Sequence, residues 1–318
     1  MGCVVKFPVD VSRAYYSVIA AGVQLPPQSI SVPFSLIVSG KYGNEIVPGW
    51  VLESSPYTIL RNEEKYKKRR KAERHDFYCG WQIIRPTIID ACREIRDILV
   101  DEKLKLKSGQ CSGQDSSEIL TAKDIIQLGN NYITQRGLEV GIKAYTSMIR
   151  RYALYGLMDV LYDKEIEDIR TVLQRVLVEE NKVNVQNPSH DLSRWPSMPW
   201  EDVSYENPKL LLDHKLHVLQ YELSSILDGH LRNRSKEDIG IFCLEKLISL
   251  ENSHAAKVLR SKTRDDERGK ATVPGYAKVH IMAESDGIIK LAEQNAVMIS
   301  QKCRSIIKTM SKNVSSKL

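Results

Sequence analysis

The chain of 318 residues is long enough for one large or two smaller domains, and a composition of 42% hydrophobic and 27% charged residues is that of an ordinary globular protein. Its longest apolar stretches, such as Ser17 to Val23 and Val32 to Val38, fall far short of the roughly 20 residues a membrane-spanning helix needs. The net charge of +6 is unevenly placed: residues 1–60 sum to zero, residues 61–74 and 287–318 each carry +5, and the remaining 212 residues sum to −4.

Residues 1–60 are rich in Val, Pro, Ser and Tyr, with β-type runs at 30–32 and 35–38 punctuated by Pro26-Pro27, Gly40, Gly43, Pro48-Gly49 and Pro56. This composition predicts short strands or extended segments joined by turns, too small to be stable alone and packed against the helical region C-terminal to them. No basic stretch followed by an apolar run opens the chain, so no secretory signal is expected.

From residue 61 the helical period takes over. Residues 61–78 read as a polar helix. After Pro86, Ile88, Ile89, Cys92, Ile95 and Leu99 mark the inner face of an amphipathic helix. Residues 108–117 read as a loop. Thr121 with Asp124 forms an acidic capping box ahead of Ile125-Ile126. Gly129, Gly137 and Gly141 are expected to weaken or break the next stretch, so that a strong helix starts only near Lys143 and runs to Tyr162.

Further helices are predicted around Ile166–Leu177, from Pro208 through Leu227, and from a Ser235–Asp238 cap through Leu250. Residues 186–207 form a Pro- and Trp-rich loop that could divide the helical region 61–318 into two lobes, and residues 261–275 read as a charged loop ending at Pro274-Gly275. The last helix spans about Asp286 to Met310. The βαβ alternation of a parallel α/β fold is absent. The expectation is a mainly α, multi-helix bundle with a small extended or β-rich segment at residues 1–60.

Five features carry candidate chemistry. Arg61, Lys65, Lys67, Lys68, Arg69, Arg70, Lys71 and Arg74 make a dense basic run able to neutralise several phosphates, or to serve as a nuclear-localisation signal; the plainer reading is a solvated helix face supported by pairs such as Glu64–Lys68. Arg304, Lys308 and Lys312 recur at i, i+4, i+8 beside an apolar face of Ile299, Cys303, Ile306, Ile307 and Met310. That suits phosphates, a membrane surface or simple docking of a terminal helix. Tyr145, Tyr152, Tyr155 and Tyr162, with Arg150 and Arg151 between them, could stack bases but more simply form a core stripe. Trp195 and Trp200 suit a partner contact, or fold back onto the helices. Gly2 and Cys3 are acylation candidates, although Lys6 stands where the usual motif has Ser or Thr.

Enzyme signatures are sparse. No G-x-G-x-x-G, H-E-x-x-H, G-x-S-x-G or complete phosphate loop occurs. A helical metal-dependent hydrolase would need His75, His190, Asp191 and Asp213 to converge, and His214 with His217 share one helix side. The six cysteines (Cys3, Cys79, Cys92, Cys111, Cys243 and Cys303) form no C-x-x-C pair and suit a reducing compartment, the cytoplasm or the nucleus.

A β-like N-terminal arm, a helical body and basic patches together resemble, at the level of architecture, RNA-encapsidating and matrix-type viral proteins. The sequence therefore points to a non-enzymatic RNA-binding structural protein of nucleocapsid type, self-associating and without a cofactor. A peripheral adaptor on an anionic membrane is the first alternative and a metal-dependent hydrolase the second.

Overall fold

A computed structural model describes residues 2–69, 83–108, 119–162, 164–177, 208–227 and 234–311. The chain is mainly α-helical, with short strands concentrated in its N-terminal segment. It divides into two compact units, one formed by residues 1–59 with 88–148 and the other by residues 60–87 with 149–318. Among the described residues no helix is long and apolar enough to cross a membrane.

In the first unit the N-terminal segment folds as a set of very short strands. β1 (Val4–Val5) pairs in parallel with β4 (Gln24–Leu25), β2 (Val9–Asp10) with β5 (Gln28–Ser29), and β3 (Val18–Ile19) with β6 (Leu36–Gly40). β6 then turns into β7 (Gly43–Val47) as an antiparallel hairpin with Ile37 opposite Ile46. Two-residue strands cannot stand alone, and their stability comes from what they cover. Leu25, Ile30, Phe34, Ile37 and Ile46 are fully buried.

After the short helix α1 (Trp50–Ser54) and α2 (Pro56–Arg69), the helix α3 (Pro86–Ser108) buries Ile88, Ile89, Cys92, Ile95 and Leu99, the face its spacing predicts. Both α2 and α3 start on a proline, whose missing N–H has no intrahelical partner at that position anyway. Within this unit Arg13 pairs with Glu94 at 2.5 Å, and the buried Tyr145 hydroxyl donates to the Pro33 carbonyl at 2.6 Å. The β-rich arm is thus packed on helices, as its size requires.

One expectation holds here and another fails. Thr121 and Asp124 do form the capping contact, with Asp124 Oδ2 accepting from the Thr121 amide at 2.9 Å. It heads only a 3₁₀ turn, Ile126–Leu128, because Gly129 turns the chain at φ +59. The chain then enters β9 (Ile133–Thr134), paired with β8 (Ile119–Leu120).

The failure concerns α4, which starts at Gln135 rather than near Lys143 and runs unbroken to Leu161 through Gly137 and Gly141. Gly141 serves packing instead of breaking the helix. A Cβ there would lie 2.7 Å from Pro48 Cβ and 2.9 Å from Leu99 Cδ1, so only glycine lets these groups approach.

The second unit is a helical bundle. It takes residues 149–161 of α4, then α5 (Ile166–Val176), α6 (Pro208–Leu227), α7 (Lys236–Thr272), α8 (Tyr276–Val279) and α9 (Gly287–Ser311). α7 packs along α9, and α5 packs on both. The expected cap is present: Ser235 Oγ accepts from the Asp238 amide at 3.1 Å.

The expected charged loop at 261–275 is helix as far as Thr272. The reason is that the inner face of these turns is polar. Ser261, Lys262 and Asp266 are buried there, so hydrophobic periodicity gives no sign of the helix. The pair Lys262–Asp266, at i and i+4, supplies the side-chain contact in its place. Pro274 and Gly275 end the run. The 186–207 loop, and any division of lobes at it, lies outside the described residues.

Candidate nucleic-acid interface

The C-terminal half of α2 carries the basic run. Lys65, Lys67, Lys68 and Arg69 are exposed, whereas Arg61 is half-buried and its Nε has no hydrogen-bond partner among the described residues. Helical geometry separates these side chains. Lys65, Lys68 and Arg69 share an arc of about 100°, while Lys67 points away from it, between Glu63 and Glu64. Lys67 Nζ lies 3.1 Å from Glu64 and 3.9 Å from Glu63, so the expected Glu64–Lys68 pair is replaced by Glu64–Lys67.

Partial burial holds the Glu63 carboxyl above its usual range, and Lys67 opposes that shift. Both carboxylates lie on the side of Lys67, and the opposite arc is left basic. Three lysines and arginines in the last turn also complement the carbonyl end of the helix dipole, a purely structural benefit. Arg70, Lys71 and Arg74 lie outside the described residues.

On α9, Ile299, Cys303, Ile306 and Met310 are buried, so the terminal helix is docked by its apolar face. Arg304 and Lys308 are exposed on the other side, and Lys312 lies outside the described residues. Trp195 and Trp200 likewise fall outside them. Gly2 and Cys3 are exposed, beside Val4, Val5 and Phe7, which is 88% exposed.

The tyrosine series resolves toward the core. Tyr145 and Tyr152 are buried, Tyr155 is partly buried and Tyr162 is at the surface. Tyr152 hydroxyl and His214 Nδ1 are hydrogen-bonded at 2.8 Å in the interior, and Arg150 Nη2 donates to the Ser225 carbonyl at 2.7 Å. Arg151 turns inward to a two-point contact with the buried Glu251, its Nη2 at 3.2 Å from Oε2. This node was not legible in the sequence, because Glu251 is separated from Arg151 by 100 residues and no periodicity links them.

Around the node, burial pushes the His254 ring well below its ordinary value, helped by Arg151 and Lys257. Burial pushes the Cys303 thiol up to about 12, with Glu251 adding to it.

The hydrolase alternative required four residues to meet. His75, His190 and Asp191 lie outside the described residues, Asp213 and His217 are exposed, and His214 is committed to Tyr152. Among the described residues no group of three or more His, Cys, Asp or Glu side chains is placed to hold a metal ion. No protein-family model matches the chain, and neither a curated protein nor a solved structure matches it significantly.

Proposed function

We propose that this is a non-enzymatic, self-associating RNA-binding protein of nucleocapsid type that holds the phosphate backbone with little sequence preference. The observation that carries the reading is the basic arc of Lys65, Lys68 and Arg69 on α2. It is exposed and has no carboxylate partner among the described residues, because Glu63 and Glu64 are occupied by Lys67. Phosphate contacts from such side chains fix position on the nucleic acid without reading bases. Arg304 and Lys308 on α9 are the second contact.

The test is a titration of single-stranded RNA at several salt concentrations. The slope of log K against log salt is roughly −0.7 per neutralised phosphate. Replacing Lys65, Lys68 and Arg69 by Gln should flatten the slope by about two. Replacing Lys67 alone should change it less than one residue of the arc does, since Lys67 lies between Glu63 and Glu64 and points away from the arc. An unchanged slope in the triple variant removes this arc from the interface.

A second reading, an adaptor on an anionic membrane, is favoured by the exposed Val4, Val5 and Phe7 beside Gly2 and Cys3. Flotation with anionic vesicles separates the two. Vesicle binding lost in a Phe7→Ser variant, with no RNA binding by the wild type, would favour the membrane.

A further inference from the structure

The charge averaged over the chain hides a second basic surface. Residues 257–278 hold seven lysines and arginines against Asp265, Asp266 and Glu267. Read as a loop, these charges have no common direction. As turns of α7 they do: Arg260, Arg264 and Arg268 stand at i, i+4 and i+8, on an arc of about 80° and at steps of about 6 Å along the axis.

Arg260 and Arg268 are exposed, and neither has an ion-pair partner among the described residues. Arg264, partly exposed, is paired among the described residues with its sequence neighbour Asp265, its Nε at 3.4 Å and its Nη2 at 3.3 Å from Oδ1, a surface pair that a stronger anion can displace. The opposite side of the same turns is fixed. Lys262 and Asp266 are buried there, and Asp266 Oδ2 accepts from the Ala283 amide at 2.8 Å. The row is therefore presented by a braced helix, and little ordering remains to be done on binding.

We propose that Arg260, Arg264 and Arg268 form a second phosphate-binding ridge, engaging consecutive phosphates of a single RNA strand; this rests on the reading that the polyanion is RNA. Three observations favour RNA over a lipid surface. All three residues are arginines, whose planar fork makes paired hydrogen bonds to one phosphate. They are evenly spaced along one line. The arc and its edges hold Ala256, Lys257, Ser261, Glu267 and Ala271 and no large apolar side chain to enter a bilayer. Glu267 is the one carboxylate at the edge of that arc, and it falls between Arg264 and Arg268 along the axis.

The experiment compares four full-length proteins on a short oligouridylate across a salt series: the wild type, the α2 triple Gln variant, Arg260→Gln/Arg264→Gln/Arg268→Gln, and the same α7 positions changed to Lys. The α7 Gln variant should lose about two from the salt slope, additive with the α2 variant, with an unchanged circular-dichroism spectrum and melting temperature. The Lys variant should keep the slope and weaken binding several-fold, because the charge survives and the fork does not.

A wild-type slope in the α7 Gln variant overturns the ridge while leaving the α2 reading intact. Loss of slope in the α7 variant alone overturns the α2 site and keeps the ridge. Failure of the wild type to bind RNA overturns both. Binding of the wild type to phosphatidylserine vesicles but not RNA, abolished by the α7 Gln variant, assigns the ridge to lipid and overturns it as proposed.

Discussion

Lys262 and Asp266 face each other one helical turn apart on the buried side of α7, and each also holds the segment that returns from it. Lys262 Nζ donates to the Ile281 carbonyl at 2.7 Å, and Asp266 accepts from the Ala283 amide and, at 3.4 Å, from the Tyr276 hydroxyl. Tyr276 in turn covers Gly269, where a Cβ would sit 2.3 Å from the ring. One charged pair thus ties the far turns of α7 to residues 276–283.

Removing one partner leaves the other charge buried, which is far costlier than never having the pair. Asp266→Ala should destabilise the protein by about 4 kcal/mol. The double variant Lys262→Met/Asp266→Leu should recover part of that loss, since apolar residues of similar volume replace both charges. Urea unfolding of the two variants checks the order. A single variant as stable as the wild type would show that the pair is not shielded from water.

The pH dependence of stability should carry the mark of His254. Its folded value lies well below the ordinary 6.5, from burial first and the Arg151 and Lys257 charges second. Above pH 6.5 the ring is neutral in both folded and unfolded chains and contributes no pH dependence. Below that, the unfolded chain takes up a proton that the folded ring resists, so stability falls as pH drops toward the folded value. The melting temperature of the wild type should therefore fall between pH 7 and pH 5 more than that of His254→Gln. Parallel curves for the two proteins would show that the ring is not desolvated in the fold.

Glycine in a helix interior normally loses to alanine by up to about 1 kcal/mol. At Gly141 the sign should reverse. The added methyl would press on Pro48 and Leu99 at distances below 3 Å, and overpacking of this kind costs about 1–3 kcal/mol. Gly141→Ala should lower stability by about 1 kcal/mol net, measured by chemical unfolding with the circular-dichroism signal at 222 nm retained. A stabilised variant would mean that Pro48 moves aside freely.

The sequence by itself determined what depends on short-range pattern. Ile88 to Leu99 repeat at helical spacing and are buried, Ser235 and Asp238 cap α7, and the Val- and Pro-rich first 60 residues form short strands. Charge placement made the α2 run visible as a cluster.

Only the tertiary structure decided how those charges divide. Glu63 and Glu64 claim Lys67, Glu251 draws Arg151 inward across 100 residues, and Arg260, Arg264 and Arg268 line up because residues 261–272 are helix. Each outcome rests on a polar contact, and polar contacts leave no hydrophobic period to read. The inner face of α7 is held by Lys262 and Asp266, and Gly141 is kept inside α4 because Pro48 and Leu99 approach it too closely for any side chain. A local pattern reports which side of an element is apolar. Which charge is paired, buried or left to face a ligand depends on partners that only the folded chain brings together.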